Sequence, residues 1–502
     1  MKERIFGTEV EYAPVCHSKK SQIRLRRLHG EALLDYIKGL SDRLFTSLTL
    51  SGCLMAGEFM GNGGRLYMDR GGHPEYATPE CRCVKDLVAY EKAGDRIMQA
   101  LAEHANRKTA TEEGVPTLHV FKNNVDFYGN TYGGHENYLI TPRAAEGIRN
   151  IIPFLVTRQV FAGAGRILTC REAGALSFQI SQRAEFIDRT FSDRATRVRG
   201  IINTRKREIY RQEQNRRLHL IMGDSNMSEL AIGLKVGTTM LTLRLLEEGK
   251  PDGIPVLASP VHALRGISRQ WNGEFQMAGH KGQYTALDIQ SIYLDKVQGF
   301  FSSRSPTPDE AYALELWEKV LQGLRQLKVS GRNWKLEDDP GGLRRKVDWI
   351  RKLWLLNRYG NMDDPAVNDR QLKLMDLKYH DLNPTTGLFA RCEALGLMDR
   401  MVDDATIAAA RIRPPKNTRA QIRGTIIRRT ADKSIDVEIE DWVKINISAR
   451  GRQKGTGQAK GTHPFKRYKG AFNSLNIRMD DPFKAMDLSI TEKIERFVEA
   501  WG

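Results

Sequence analysis

The sequence predicts an α+β protein with one large mixed domain, residues 1–413, and a small C-terminal domain, residues 414–502. Three observations carry this reading. Strand-like and helix-like periodicities are interspersed without the repeating strand–helix rhythm of a doubly wound sheet. No Gly-rich phosphate loop follows a strand. The pair Pro414-Pro415 interrupts the chain where a helix cannot continue. A length of 502 residues accommodates a large domain beside a smaller one.

Taken in order, Arg4 to Tyr12 reads as a strand, His29 to Phe45 as a helix and Gly64 to Asp69 as a second strand. A longer amphipathic helix follows, with Val84, Leu87, Val88, Ile97, Met98 and Leu101 on one face. Thr117 to Lys122 is strand-like, and a helix is expected around Ala144 to Phe161. Beyond the paired prolines, Ala420 to Arg428 and Ile435 to Ile447 read as strands. The chain closes on a helix with Ile490, Ile494, Phe497, Val498 and Trp501 along one face, with Ser489 placed to cap it and Glu492 three residues on. Between these, Arg450 to Lys469 carries seven basic residues, no acidic ones and several glycines. That composition suits an insertion on the surface, either a solvated loop or a docking arm for an acidic partner.

Hydrophobic residues make up 40% and charged residues 28%, the balance of a chain that can fill a core. No run of about 18 apolar residues occurs, so no membrane span is expected. Ile151 to Leu168 comes nearest, and Arg158 and Arg166 break it. Met1 leads straight into a strand-like segment, the expectation for a cytoplasmic protein. The six cysteines, at 16, 53, 81, 83, 170 and 392, lack zinc-site spacing and read as reduced thiols. A net charge of +17 predicts an acidic partner. Aromatic residues, 8% of the chain, are spread out rather than interleaved with a basic face, which favours an acidic protein or a nucleotide over nucleic acid.

The chemistry-bearing residues begin with Gly7-Thr8-Glu9-Val10-Glu11-Tyr12. Alternate side chains of a strand share a face, so Glu9 and Glu11 project together. Two like charges so placed need a cation or a basic group between them, and a hard cation such as magnesium prefers oxygen ligands. Glu-x-Glu is common on exposed strands, so the pattern is weak alone. In Gly64 to Asp69 the same period puts Arg65, Tyr67 and Asp69 on one face and Leu66 and Met68 on the other. Arg65 suits phosphate oxygens and Asp69 a base near a metal, and His73-Pro74-Glu75 brings a further carboxylate. The alternative is a surface strand with scattered charges. Lys122 to Asp126, Gly134 to Tyr138, Arg216 to His219 and Gly223 to Asn226 are polar clusters beside apolar runs, the layout of loops at a site mouth. His135 and His219 could be phosphate contacts or general acids; taken singly, a structural role suits each better.

Gly7 to Tyr12, Asn62 to Glu80, Phe121 to Leu139, Pro153 to Gln159, Arg217 to Glu229 and Lys235 to Thr238 together resemble the family of Pup ligases and depupylases, enzymes that attach or remove the bacterial protein tag Pup. Ala286 to Gln290, Tyr379-His380-Asp381 and Asp480 to Phe483 extend the resemblance over nearly the whole chain. It implies a glutamine-synthetase-like large domain, a curved antiparallel sheet backed by helices, with a small C-terminal domain against it. It implies ATP and Mg2+. Residue by residue, Glu9, Tyr67 and Glu75 match the family's magnesium ligands, Arg65, Thr78 and Trp442 its ATP contacts, and Asp69 its catalytic base. The short stretch between Phe45 and Arg65 and the form of Gly223 to Glu229 lie closer to the ligase. Thr8 to Tyr12 and Asn123 to Asp126 look more like the depupylase. Two segments depart from the family pattern, Lys206-Arg207-Glu208-Ile209 and the basic insertion.

The function the resemblance implies is an ATP-dependent carboxylate–amine ligase. It would join the C-terminal glutamate side chain of a small acidic Pup-like modifier to lysines of target proteins through an acyl phosphate. The rival readings are a hydrolase cutting that isopeptide bond or deamidating a C-terminal glutamine, and a basic nucleic-acid-binding protein with steeply salt-dependent affinity.

Overall fold

Alternation along the strands decides the architecture, because one face of each must be covered and the other need not be. In the computed structural model, residues 3–17, 31–48, 54–108, 117–126, 129–169, 176–194, 198–205, 215–249, 252–270, 275–280, 282–327, 329–330, 335–336, 338–360, 369–449 and 474–501 are described. The strands of the first half are β1 (Phe6–Glu11), β2 (Ala13–His17), β3 (Met55–Ala56), β4 (Phe59–Met60), β5 (Arg65–Met68), β6 (Pro74–Ala77), β7 (Thr117–Phe121), β8 (Gly134–Ile140), β9 (Arg166–Thr169), β10 (Leu176–Gln179), β11 (Arg189–Ser192), β12 (Gly200–Asn203) and β13 (Arg216–Leu220). Nine of them form one sheet in the order β11-β12-β13-β8-β1-β6-β5-β4-β3. All neighbours pair antiparallel except β11 with β12, which are parallel. Outside it, β2 pairs with β7 and β9 with β10.

Helix Val84–Lys108 lies against the back of this sheet. Val10, Leu66 and Tyr76 point back into its core, with Ile97, Met98 and Leu101 of the helix packed among them. Helix Glu229–Glu247 is buried at every residue, the mark of a helix with neighbours all round. It packs against helices Val84–Lys108 and Pro308–Gln326. Among the described residues no helix is long and apolar enough to cross a membrane, and Cys16, Cys81, Cys83 and Cys392 are free thiols.

Polar ties as well as apolar packing fix β1 to its helix. Thr8 Oγ1 donates to Glu91 at 2.9 Å, and Tyr12 OH donates to Asp95 at 2.8 Å. Lys122 Nζ stands between the two carboxylates, 3.0 Å from Glu91 and 3.1 Å from Asp95, with no solvent exposure of its side chain. Burial opposes both charges, but the pairing wins: Lys122 is held above its ordinary pKa and Glu91 below its own. Thr8 and Tyr12 are thereby anchored behind the sheet, and Glu9 and Glu11 are committed to the front.

Residues beyond Ala420 build a separate small core of Ile422, Ile426, Ile435, Ile445, Ile447, Ile477, Ile490 and Ile494. Several expectations are corrected here. Ala420 to Arg428 is a helix, Ala420–Thr430, not a strand. Its β-branched residues suggest a strand, but Ile422, Ile426 and Ile427 fall on one helical face, and packing overrides propensity. Ile435 to Ile447 is a hairpin, Ile435–Glu440 with Lys444–Ala449, turned at Asp441 with φ 52°; Ser474–Arg478 adds a third strand. The last helix, Leu488–Trp501, is capped by Asp487, which accepts from Ile490 N at 2.7 Å, and Ser489 lies inside it. The helix expected over Ala144 to Phe161 is broken into Pro142–Glu146, a single 3-10 turn at Ile148–Ile151, Ile152–Thr157 and Gln159–Ala162. Pro153 cannot extend a preceding helix, and Gly147 ends the first piece. The basic insertion, Arg450 to Lys469, and Lys206 to Ile209 lie outside the described residues.

Tyr379-His380-Asp381 also belongs to the scaffold. Tyr379 OH donates to Asp348 at 2.8 Å, and Lys352 Nζ donates to His380 Nε2 at 2.7 Å. Burial pushes the Asp381 carboxyl up, yet hydrogen bonds from His119, Lys378, Thr386 and Asn383 hold it at about 2. Its folded value is depressed from 3.8, so its stabilisation is present above that pH and is lost as pH falls through about 2. Asp381→Asn should therefore flatten the acid limb of a stability-versus-pH curve in that window, as read by denaturant midpoints. Lys122→Met leaves Glu91 buried without its cation and Asp95 with only the more distant Lys92, and should cost about 3 kcal/mol or more in a urea melt.

Candidate functional site

The front of the sheet can be read across five strands from its register. Arg65 and Tyr67 of β5 oppose Ala77 and Glu75 of β6, and these in turn oppose Glu9 and Glu11 of β1. Glu9 opposes His135 of β8, Gly7 opposes Asn137, and Asn137 opposes His219 of β13. Directly opposed residues share a face. A band of carboxylates thus has an arginine and a phenol on one side and two histidines on the other.

Glu9 is the most connected of these groups. Asn137 donates to its Oε1 at 2.9 Å, and His135 Nδ1 lies 3.2 Å from Oε2. Arg205 Nη2 and His219 Nε2 each stand 3.8 Å from the same oxygen. Burial raises the Glu9 pKa, but the His135 hydrogen bond and the charge of Arg217 outweigh it and hold the group well below the usual carboxylate range. Glu75 is the opposite case. Burial, then the charges of Glu9 and Glu11, push it well up, although Tyr67 donates a hydrogen bond to it. Burial and the charges of Glu9 and Glu75 raise Tyr67 too, so the phenol keeps its proton. Burial drives His219 well below its ordinary value, leaving a neutral ring.

Asp69 follows β5 at the tight turn into β6. Its Oδ1 accepts from His73 N at 2.7 Å, and its own N–H donates to His73 O at 2.9 Å. Gly72, with φ 80°, permits the turn, and its carbonyl is held by Ser41 Oγ at 2.6 Å. Burial and the nearby Glu11 raise the Asp69 pKa, while the N–H groups of Gly71 and His73 restrain the rise. A fixed carboxylate with raised basicity at the rim of the band has the properties of a general base.

The other predicted residues fall at the junction with the small domain. Arg65 lies over the rings of Tyr67 at 4.4 Å and Phe59 at 5.5 Å, and pairs through Nε and Nη2 with Glu58. Phe59 meets Trp442 edge to face at 5.2 Å, and Arg423 stacks on Trp442 at 4.7 Å. Arg423 and Arg419 hold Glu80, the former also donating to Gly63 O at 2.7 Å. Arg65 and Trp442 thus line one wall through Phe59. Thr78, one residue past β6, spends its hydroxyl on Thr8 N at 3.0 Å.

Gly223 to Asn226 is not a site-mouth loop but a buried brace. Asp224 accepts from Ala164 N, Gln182 N, Arg183 N and Ser181 Oγ, and Asn226 donates to Asp348 at 3.0 Å. Conversely His135 and His219, each given a structural role by sequence reasoning, face the carboxylates. Asn137 was included only within the polar cluster Gly134 to Tyr138, and Arg205 was given no site role. The signal for His135 and Asn137 was the period of two in Gly134–Ile140, the same that revealed Glu9 and Glu11; nothing comparable marks Arg205, which lies past a strand end.

Ligand atoms of Glu9, His135 and His219 lie within 4.8 Å of one another, as do those of Glu11, Glu75 and His135. Acidic oxygens crowded so closely, with Glu75 raised by its neighbours' charge, form a donor set that suits a hard divalent cation. Of the three residues expected as ligands, Glu9 falls in the first group and Glu75 in the second, and Tyr67 stands beside Glu75 as a neutral phenol. Added Mg2+ or Mn2+ should raise the melting temperature of the unaltered chain. Glu75→Gln should abolish that rise while leaving the metal-free protein no less stable, as scanning calorimetry would show.

A model of the family described as Pup-ligase protein matches residues 4–446. The Pup--protein ligase of Acidimicrobium ferrooxidans is 40% identical over 455 residues, 90% of this chain and 94% of that protein. That of Kribbella flavida is 38% identical over 502 residues, 99% of each. Among solved structures, the complex between Prokaryotic Ubiquitin-like Protein Pup and its ligase PafA aligns with a TM-score of 0.79 at 30% identity, covering 100% of this chain and 94% of that one. PafA in complex with ADP aligns at 0.73 and 29% identity, covering 97% and 96%. The expected glutamine-synthetase-like architecture is therefore the fold of this chain, and the chain belongs to the Pup-ligase protein family.

Proposed function

We propose that this protein is an ATP-dependent ligase that joins the C-terminal glutamate side chain of a small acidic Pup-like modifier to lysine amines of target proteins in the cytoplasm. The observation that carries the reading is the carboxylate band of Glu9, Glu11 and Glu75 with Asp69 at its rim and Arg65 at its side. In the first step the modifier's carboxylate attacks the γ-phosphorus of ATP, ADP leaves, and an acyl phosphate forms. In the second step a lysine amine attacks the acyl carbon, phosphate leaves, and the isopeptide bond remains.

Each predicted residue has a part in this. Glu9, Tyr67 and Glu75 would hold Mg2+, which when bound offsets the charge of the phosphates. Arg65 would exchange Glu58 for a phosphate oxygen, a planar fork trading one oxyanion for another. Trp442 would offer its ring to the nucleotide. Thr78, whose hydroxyl oxygen accepts from Thr8 N, would turn its O–H to the nucleotide. Asp69 would take the proton that the incoming ammonium must lose before its nitrogen can attack, which its raised basicity favours. The net charge of +17 would draw in an acidic modifier.

The test is to incubate the purified chain with ATP, magnesium, a Pup-like peptide ending in glutamate and a lysine-bearing acceptor, with intact-mass readout. A product heavier by the peptide less one water, formed at least about a hundredfold more slowly by Asp69→Asn, is the expected outcome. Cleavage of preformed conjugate with no conjugate made would replace the ligase by the hydrolase.

A further inference from the structure

We propose that His219 donates a hydrogen bond from Nε2 to a phosphoryl oxygen of the bound nucleotide, and that Arg205 is the positioning residue that fixes its tautomer; this rests on the ligase reading above. Arg205 has φ 37°, a left-handed backbone conformation that is unfavourable for arginine. Its N–H donates to Asn203 Oδ1 at 2.8 Å, which holds the turn, and its Nε donates to His219 Nδ1 at 2.9 Å. A guanidinium has no acceptor to offer, so Nδ1 must supply its lone pair and the ring proton sits on Nε2.

That Nε2–H is buried, in a residue only 1% exposed, and among the described residues it has no hydrogen-bond partner. Glu9 Oε2, at 3.8 Å, is beyond hydrogen-bond distance. A buried donor left unmade is costly, so the site is built for an acceptor that arrives with a ligand. Arg205 stands on the same side of Glu9, and Arg217 adds its charge there, so that acceptor is anionic. Phosphoryl oxygens are what an ATP-consuming reaction brings to this face. The same tautomer removes His219 from metal ligation, since a ligating nitrogen needs a free lone pair: Nδ1 has given its own to Arg205, and Nε2 carries hydrogen. His135 is the histidine of this face placed to ligate, alongside Glu11 and Glu75.

The test has two arms on the full chain. In the first, nitrogen-15 NMR of labelled histidine rings in the nucleotide-free protein reads the tautomer directly. It should show His219 protonated on Nε2, with that preference lost in Arg205→Met. In the second, calorimetry measures ATP binding with magnesium and Mn2+ binding without nucleotide. His219→Leu should weaken ATP by at least about tenfold, and His219→Gln, which keeps an N–H at similar reach, should stay within about threefold. Mn2+ affinity should be unchanged in both, in contrast to Glu9→Gln. A ring protonated on Nδ1, ATP binding indifferent to His219→Leu, or a Mn2+ loss equal to that of Glu9→Gln would each overturn the inference. Should His219→Leu fail to fold, the tautomer and the glutamine variant decide. An unaltered chain that binds no ATP overturns the ligase reading and this inference with it, whereas ATP binding insensitive to His219 overturns the inference alone.

Discussion

Three glutamates on two neighbouring strands repel one another, and most of the site can be understood as the arrangement that tolerates this. Glu11 opposes Glu75 across β1 and β6, closer than like charges rest without compensation, and Glu9 lies diagonal to Glu75 on the same face. The protein compensates unequally. Glu9 receives His135, Asn137 and the field of Arg217, while Glu75 receives only the Tyr67 hydroxyl among its named partners and is forced up in pKa. The imbalance is one that a cation beside Glu75 would relieve. Asp69 is raised first by burial and then by the charge of Glu11, a smaller share of the same repulsion.

Such a front is stable only because its back is over-determined. Thr8 and Tyr12 are tied to Glu91 and Asp95, Lys122 bridges both, Lys92 adds a second positive charge beside Asp95, and helix Val84–Lys108 carries the pair. A slip of one residue in β1 would bring Glu9 and Glu11 into that helix and break every tie at once. A second buried pair, Glu136 with Arg158, braces β8 from behind in the same way, with Arg158 donating to Thr239 as well. Ionic groups here act as register pins for the strands that carry the chemistry.

How much of this was legible depended on whether the signal was local. Glu9, Glu11, Arg65, Tyr67 and Asp69 could be placed on common faces because a period of two is written in adjacent residues. Glu75 followed from its nearness to that strand. Thr78 and Trp442 came only from family resemblance, since nothing near Trp442 reveals that it packs on Phe59, nearly four hundred positions earlier in the sequence. The place of His219 was not legible for a related reason. Its burial and its front-facing position are both set by pairing with β8, a partner that composition does not name. The strand read at Ala420 to Arg428 failed because isoleucine content speaks for strands, while the spacing of Ile422 and Ile426 suits a helix packed on a small sheet.

The junction around Glu80 sets an order of events during synthesis. Glu80, Phe59 and Gly63 leave the ribosome early, whereas Arg419, Arg423 and Trp442, which pair with or cover them, emerge near the end. Until then Glu80 lacks both of its cations, and the aromatic wall beside Arg65 has only one of its two rings. A nascent or prematurely terminated chain therefore carries its carboxylate band without the wall proposed to seat the nucleotide. Two stretches more than three hundred residues apart in the sequence thus have to meet before that wall exists.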